Sequence, residues 1–307
     1  MRMQHATRVL RPEARLRATH AENFCQSPRA SPILRIHFMS ENRIDSTFAR
    51  LRSEKRAAFI AYICAGDPNL AATRALVPAL ERAGVDIIEI GIPFSDPLAD
   101  GVVNQLASSR ALASGTTLNG VLECVRAIRT ESQIPIVFYT YMNPVYRHGF
   151  DAFLADAEAA GVDGVLFLDL PPDEDEASPE LRMHGPLKRI RLIAPTTPPQ
   201  RIALLTRDAS GFIYYVSREG VTGERSDVVA GLAESVAAIR KTTPLPIAVG
   251  FGIGTPEQVR AVAGAADAVV VGSAIVKRMG EFGSDPKFVE KVAAFVKPLA
   301  DAVREKP

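Results

Sequence analysis

"AGVDIIEIGIPFSDPLADG", residues 83–101, holds one complete unit of the fold. Gly84 ends a helix, because glycine tolerates the left-handed conformation that follows a last turn. Residues 85–90 form an apolar run of strand length, and Pro93 and Pro97 then hold the connecting loop to a defined path. Within the run stands Glu89. A charged side chain in a buried β environment is costly unless paired, so this position calls for an explanation.

The unit recurs. "AGVD" returns at residues 160–163 and "GAAD" stands at 264–267, each directly before another apolar run, so the same βα joint is used repeatedly. Eight Val- and Ile-rich runs follow one another, at residues 58–64, 85–90, 134–139, 164–168, 190–194, 212–216, 246–250 and 268–271. They lack the polar alternation of a half-exposed sheet and are separated by amphipathic helical stretches, which indicates a parallel sheet covered by helices. Eight such units in the space of about 250 residues predict an α/β fold, a single (β/α)8 barrel of the TIM type with an extra N-terminal helix. An open doubly wound sheet is the competing architecture. In a barrel the working groups sit at the C-terminal ends of the strands, so position along a strand carries meaning.

The chain has 307 residues, 47% of them hydrophobic, enough to bury a sizeable core. Basic and acidic residues number 36 and 35, for a net charge of +1, so nothing points to nucleic acid or a membrane surface. No apolar run reaches the ~20 residues of a membrane span. Cys25, Cys64 and Cys124 lack C-x-x-C spacing, which argues for reduced thiols in a cytoplasmic protein rather than a disulfide framework or zinc site. Residues 1–38 differ from the rest. They carry seven arginines, no lysine and only Glu13 and Glu22 as acids, an Arg-rich leader that resembles a transit peptide or lies upstream of a true start at Met39. The catalytic domain is therefore expected over residues 39–307.

Three glycine-rich loops follow strands. "GFGIGTPEQV" at 250–259 gives Gly252 and Gly254 before a helix opened by Thr255 and Pro256; "VGSAIV" at 271–276 gives Gly272 and Ser273; "SREGVTGERSD" at 217–227 brackets Val221 and Thr222 between Gly220 and Gly223. Glycines permit close approach of backbone N–H groups, helix N-termini favour anions, and the loops after strands 7 and 8 of barrels commonly seat phosphate. A dinucleotide fingerprint fails on spacing, since its third glycine falls on Glu257. Ordinary turn chemistry competes with the phosphate reading. Glu89 and Asp100 are two carboxylates at one barrel mouth, able to divide acid and base roles if their environments separate their pKa values. The competing reading pairs Glu89 with a neighbouring backbone or Tyr group and makes Asp100 a helix cap. Outside the leader only His148 and His184 occur, neither at a strand end, which disfavours histidine chemistry and a metal site.

Taken together, "NRIDSTFARLRSEKRAAFIAYICAGDPN", "VDIIEIGIPFSDPLADG", "FYTYMNPVYRHGFDAFLADAEAAGVDGVLFLDLPPDE", "APTTP", "YYVSREGVTG", "GFGIGTPEQV" and "VVVGSAIVK" closely resemble the α subunit of tryptophan synthase, in order and at barrel spacing from Asn42 to Lys277. The resemblance implies a lyase of tryptophan biosynthesis that cleaves indole-3-glycerol phosphate to indole and glyceraldehyde 3-phosphate, a retro-aldol reaction with no cofactor in this chain. It places the family's catalytic acid–base group on Glu89 and its catalytic Asp on Asp100. It puts phosphate binding on Gly223, Gly252, Gly272 and Ser273, and the indole pocket on Tyr62, Tyr141, Leu166, Tyr214 and Phe251. Thr222 matches a loop residue that orders Asp100, and Asp169 a supporting position. It also implies a pyridoxal-phosphate β subunit as partner in an α2β2 assembly. One departure stands out: after "LADG" the family usually continues with proline, a small or β-branched residue, an apolar residue and glutamine, whereas here the chain reads Val102, Val103, Asn104, Gln105. The lost proline is expected to loosen the loop that carries Asp100. A stand-alone indole-releasing lyase, a non-catalytic regulatory subunit and another phosphate-binding barrel such as a sugar-phosphate isomerase are the alternatives.

Overall fold

The computed structural model describes residues 42–217, 225–250 and 252–304. The expectations for the leader 1–38 and for a start at Met39 lie outside them. Along the chain run α1 (Arg43–Ser53), β1 (Ala58–Cys64), α2 (Leu70–Arg82), β2 (Ile87–Gly91), α3 (Val102–Ala113), α4 (Leu118–Ile128), β3 (Ile136–Thr140), α5 (Met142–His148), α6 (Phe150–Ala160) and β4 (Gly164–Phe167). There follow α7 (Pro172–Ala177), β5 (Lys188–Ile193), α8 (Pro199–Arg207), β6 (Ile213–Val216), α9 (Arg225–Arg240), β7 (Ile247–Gly250), α10 (Pro256–Ala263), β8 (Ala268–Val271), α11 (Ser273–Phe282) and α12 (Phe288–Ala302). The eight strands pair in order, all parallel, and β8 closes on β1. The open sheet is thereby excluded, and α1 is the expected extra helix.

Two apolar layers follow from the period-2 alternation of the strands. Outward side chains such as Ile63, Ile88, Phe138 and Val249 pack under the helices. Inward ones, among them Ile60, Ile87, Val137, Leu166, Ile190, Phe212 and Ala248, fill the barrel. Ile44, Phe48 and Leu51 on one face of α1 join this inner cluster, and the Phe48 and Phe212 rings lie 5.9 Å apart. α1 therefore closes the end of the barrel where the strands begin.

The recurrent joint is at that same end, and this corrects the sequence reading: it is the αβ connection, not the βα one. Asp86, Asp163 and Asp267 accept the backbone N–H of Phe59, Ile136 and Ile247, the residues at or beside the start of the preceding strand, at 2.8–2.9 Å. Each carboxylate also pairs with an arginine at 2.8 Å, Arg56, Arg129 and Arg240 respectively. Gly84 and Gly161 adopt the expected positive φ, but Gly264 ends α10 in a right-handed conformation. β5 begins at Lys188, earlier than the apolar run, because Arg189 and Arg191 alternate with the inward Ile190 and Leu192. Both arginines are buried outside the barrel wall, where they donate to the carbonyls of Leu181 and Leu170.

Candidate active site

At the open end, a cavity of about 430 Å³ is lined by Tyr62, Glu89, Asp100, Asn104, Tyr139, Leu168, Leu192, Tyr214, Gly252, Gly272 and Ser273, among others. Glu89 forms its floor. The alternation of β2 turns Ile88 and Ile90 outward and Glu89 inward, opposite Tyr62 of β1 in register. Only 1% of Glu89 is exposed, and neither carboxylate oxygen has a hydrogen-bond partner among the described residues. That disposes of the reading in which a Tyr or backbone group satisfies it. Burial disfavours the charged form and pushes the carboxyl up to about 8.

Asp100 hangs over the cavity from the β2–α3 loop, whose turns are made by hydrogen bonds from Leu98 N to Asp96 O and from Asp100 N to Pro97 O. It is no helix cap: the residue before α3 is Gly101, which makes no side-chain cap bond. Instead its two oxygens collect side-chain donors. Tyr141 Oη reaches Oδ2 at 2.9 Å, while Asn104 Nδ2 and Tyr139 Oη reach Oδ1 at 3.4 and 3.5 Å. Burial raises the Asp100 pKa above the usual carboxylate value, and the bonds from Tyr141, Asn104 and Tyr139 oppose that rise. Two carboxylates thus share a cavity in different electrostatic settings, one buried without a side-chain or backbone partner among the described residues, one held by donors.

Two tyrosines owe their places to glycines at the strand ends. A Cβ on Gly91 would stand 2.3 Å from Tyr62 Oη, and one on Gly250 would stand 2.4 Å from Tyr214 Oη, so each ring lies across a strand that carries no side chain there. The Tyr62 and Tyr139 rings meet edge to face at 5.0 Å. Burial raises the pKa of Tyr62, Tyr139 and Tyr214, and these phenols stay protonated donors.

Gly272 immediately precedes α11, and Ser273 is its first residue, so the free N–H groups of that helix's first turn are at the cavity rim. Gly252 takes a positive φ of 70° on the adjoining loop, and Gly254 donates its N–H to Gln258 Oε1 in the capping box that opens α10. Gly252, Gly272 and Ser273 thus stand together on the side of the mouth formed after β7 and β8, while the Gly254 N–H is taken up by the cap.

Not every expected residue lines this cavity. Leu166 is fully buried one layer deeper in the barrel core, and Leu168, two residues on along the same inward face, lines the cavity instead. Asp169 accepts the N–H of Met142 at 2.7 Å, which ties the β4 loop to α5. Tyr141 contributes through its bond to Asp100. Thr222, Gly223 and Phe251 lie outside the described residues. The sequence reading missed Tyr139 and Leu192 and treated Asn104 only as a loop departure. Strict alternation along β3 and β5 was the available signal for the first two.

A family model described as "Tryptophan synthase alpha chain" matches residues 48–304. The tryptophan synthase alpha chain of Opitutus terrae is 54% identical over 255 residues, covering 82% of this chain and 96% of the relative. That of Geobacter sulfurreducens is 52% identical over 263 residues, covering 85% and 99%. Among solved structures, tryptophan synthase subunit alpha from Legionella pneumophila superposes with a TM-score of 0.78 at 36% identity, covering 86% of this chain and 99% of that one. A chain in a structure of Mycobacterium tuberculosis tryptophan synthase gives 0.75 at 37%, with coverage of 86% and 99%.

Proposed function

The chain belongs to the tryptophan synthase alpha chain family, a carbon–carbon lyase that cleaves indole-3-glycerol phosphate to indole and glyceraldehyde 3-phosphate in tryptophan biosynthesis, and from that premise we propose that Glu89 and Asp100 perform the chemistry. The observation that carries this assignment is the Glu89 carboxyl, buried and unpartnered at the floor of a cavity whose wall holds Asp100. Cleavage needs a proton delivered to indole C3 and a proton removed from the side-chain hydroxyl next to the breaking bond. Held protonated near neutrality, Glu89 gives its proton to C3; as carboxylate it takes the hydroxyl proton while the electrons of the C–C bond return to the ring. Asp100, kept ionised by Tyr141 and its neighbours, accepts the ring N–H and stabilises the positive charge that C3 protonation places there. No cofactor enters these steps in this chain.

Gly252, Gly272 and Ser273, with Gly223, hold the phosphate through backbone N–H groups and the Ser273 hydroxyl. Tyr62, Tyr141 and Tyr214, with Leu166, Phe251, Thr222 and Asp169, shape and support the indole side. The family implies a β-subunit partner. An α2β2 assembly places pyridoxal phosphate in that partner, and Leu98, Val102 and Tyr146, 83%, 69% and 73% exposed on segments following β2 and β3, provide an apolar docking surface beside the mouth. No helix among the described residues is long and apolar enough to cross a membrane, and a cytoplasmic location fits the reaction.

The test is indole release from indole-3-glycerol phosphate, with and without a β subunit, for the wild type and Glu89→Gln. Slow release that rises with the β subunit and vanishes in the variant supports the assignment. Rapid release by the chain alone points to a free-standing lyase, and unchanged cleavage by Glu89→Gln removes Glu89 from the chemistry.

A further inference from the structure

Among the described residues, the buried side-chain oxygens without a hydrogen-bond partner are the two of Glu89 and one other, Oδ1 of Asn104. Both residues line the same cavity. Asn104 sits in the first turn of α3, and its Nδ2 donates to Asp100 Oδ1 at 3.4 Å. That bond settles which way the amide faces, because turning it over would set its carbonyl oxygen against a carboxylate oxygen. Oδ1 therefore cannot be relieved by a flip. A buried acceptor without a donor is destabilising, and a native site that keeps one calls for a specific reason.

The substrate of the site proposed above supplies three donors: two hydroxyls on the glycerol chain and the ring N–H. The glycerol phosphate is assigned to the side of Gly272 and Ser273, and the reacting hydroxyl to Glu89. Asn104 stands with Asp100, on the side assigned to the ring nitrogen. Resting on that reading, we infer that Asn104 is a specificity residue for the indole moiety: its Oδ1 accepts the ring N–H together with Asp100, while its Nδ2 keeps Asp100 in place. The ring nitrogen is then met by one charged and one neutral acceptor. A ring that lacks the N–H leaves both buried and unpaired, and sites of that kind reject such analogues strongly.

The experiment compares the binding of indole and of benzofuran, which has oxygen in place of N–H, to the full chain and to Asn104→Leu, by calorimetry. The wild type is expected to prefer indole, and Asn104→Leu to lose about 10-fold in indole affinity, one hydrogen bond's worth, with benzofuran affinity unchanged or improved. The acid limb of kcat/KM should move to higher pH in the same variant, because Asp100 loses a donor that lowers its pKa. Equal loss for both ligands, or loss for neither, overturns the inference. Asn104→Ala adds no volume and carries the same comparison if the leucine variant does not fold. Cleavage by Glu89→Gln reports separately on the chemistry, so failure of that assignment is distinguishable from failure of this one.

Discussion

Tyr141 Oη donates to Oδ2 of Asp100 at 2.9 Å while accepting the N–H of Ala99 at 3.0 Å, so one phenol on the strand 3 side fixes both the carboxylate and the loop that carries it. Removing that hydroxyl leaves the ring contact with Phe94, at 5.4 Å, in place. A hydrogen bond to a charged group contributes about 1.5–3 kcal/mol, so Tyr141→Phe is expected to lower kcat/KM by roughly 10- to 100-fold. The same hydroxyl braces the folded loop through both bonds, so the melting temperature should fall by several degrees as well. Steady-state kinetics beside a thermal melt checks both halves.

The pH dependence of kcat/KM should be a bell. Glu89 must start protonated to deliver its proton, and with its carboxyl at about 8 the rate is expected to fall above that pH. Asp100 must be ionised, and its raised pKa sets the acid limb higher than an ordinary aspartate would. A profile that stays flat from pH 7 to 10 would contradict the assignment of Glu89 as the proton donor.

Glu89 also makes a thermodynamic prediction. Its carboxyl keeps its proton up to about pH 8 in the folded chain but releases it near 4.5 when unfolded. Between those values the native state binds more protons than the unfolded one, so this group lowers stability as pH rises, by about 1.4 kcal/mol per unit at the steepest. Glu89→Gln carries no such penalty. Its unfolding midpoint in urea should exceed the wild type's by a margin that widens from pH 5 to pH 8.

Gly91→Ala is expected to raise KM without unfolding the barrel. The new methyl would collide with Tyr62 Oη and with the Cζ and Cε2 atoms of its ring, so the whole buried ring has to shift toward the cavity. Loss of affinity for indole with a normal circular dichroism spectrum is the signature to look for.

At the other end of the barrel the same kind of residue does different work. Asp163 is 2% exposed and joins Arg129, Arg43 and the N–H of Ile136. Asp163→Asn leaves the mostly buried Arg129 without its counter-charge, which typically costs about 3–5 kcal/mol. Stability should drop by that order while kcat of the folded fraction stays as it was, whereas Tyr141→Phe is expected to lose activity in the folded enzyme.

The barrel was readable because parallel strands buried on both faces are continuous apolar runs, and only β5 blurred the signal, where Arg189 and Arg191 interrupt it from the outer face. Glu89 was readable as a charge in such a run. Depth was harder. Leu166 and Leu168 face the same way along β4, and which of them reaches the cavity depends on the stagger of the strands, a property of the closed sheet that no local pattern encodes. Asn104 drew notice for the proline missing beside it, whereas what distinguishes it is an oxygen left without a donor, visible only once Asp100 folds back onto α3.

With Ile44, Phe48 and Leu51 of α1 driven into the base of the barrel, the vessel is corked at that end. The end that carries α1 is structural masonry, and every described side chain open to a small molecule in the barrel stands at the opposite end, where Glu89, Asp100 and Gly272 line one cavity.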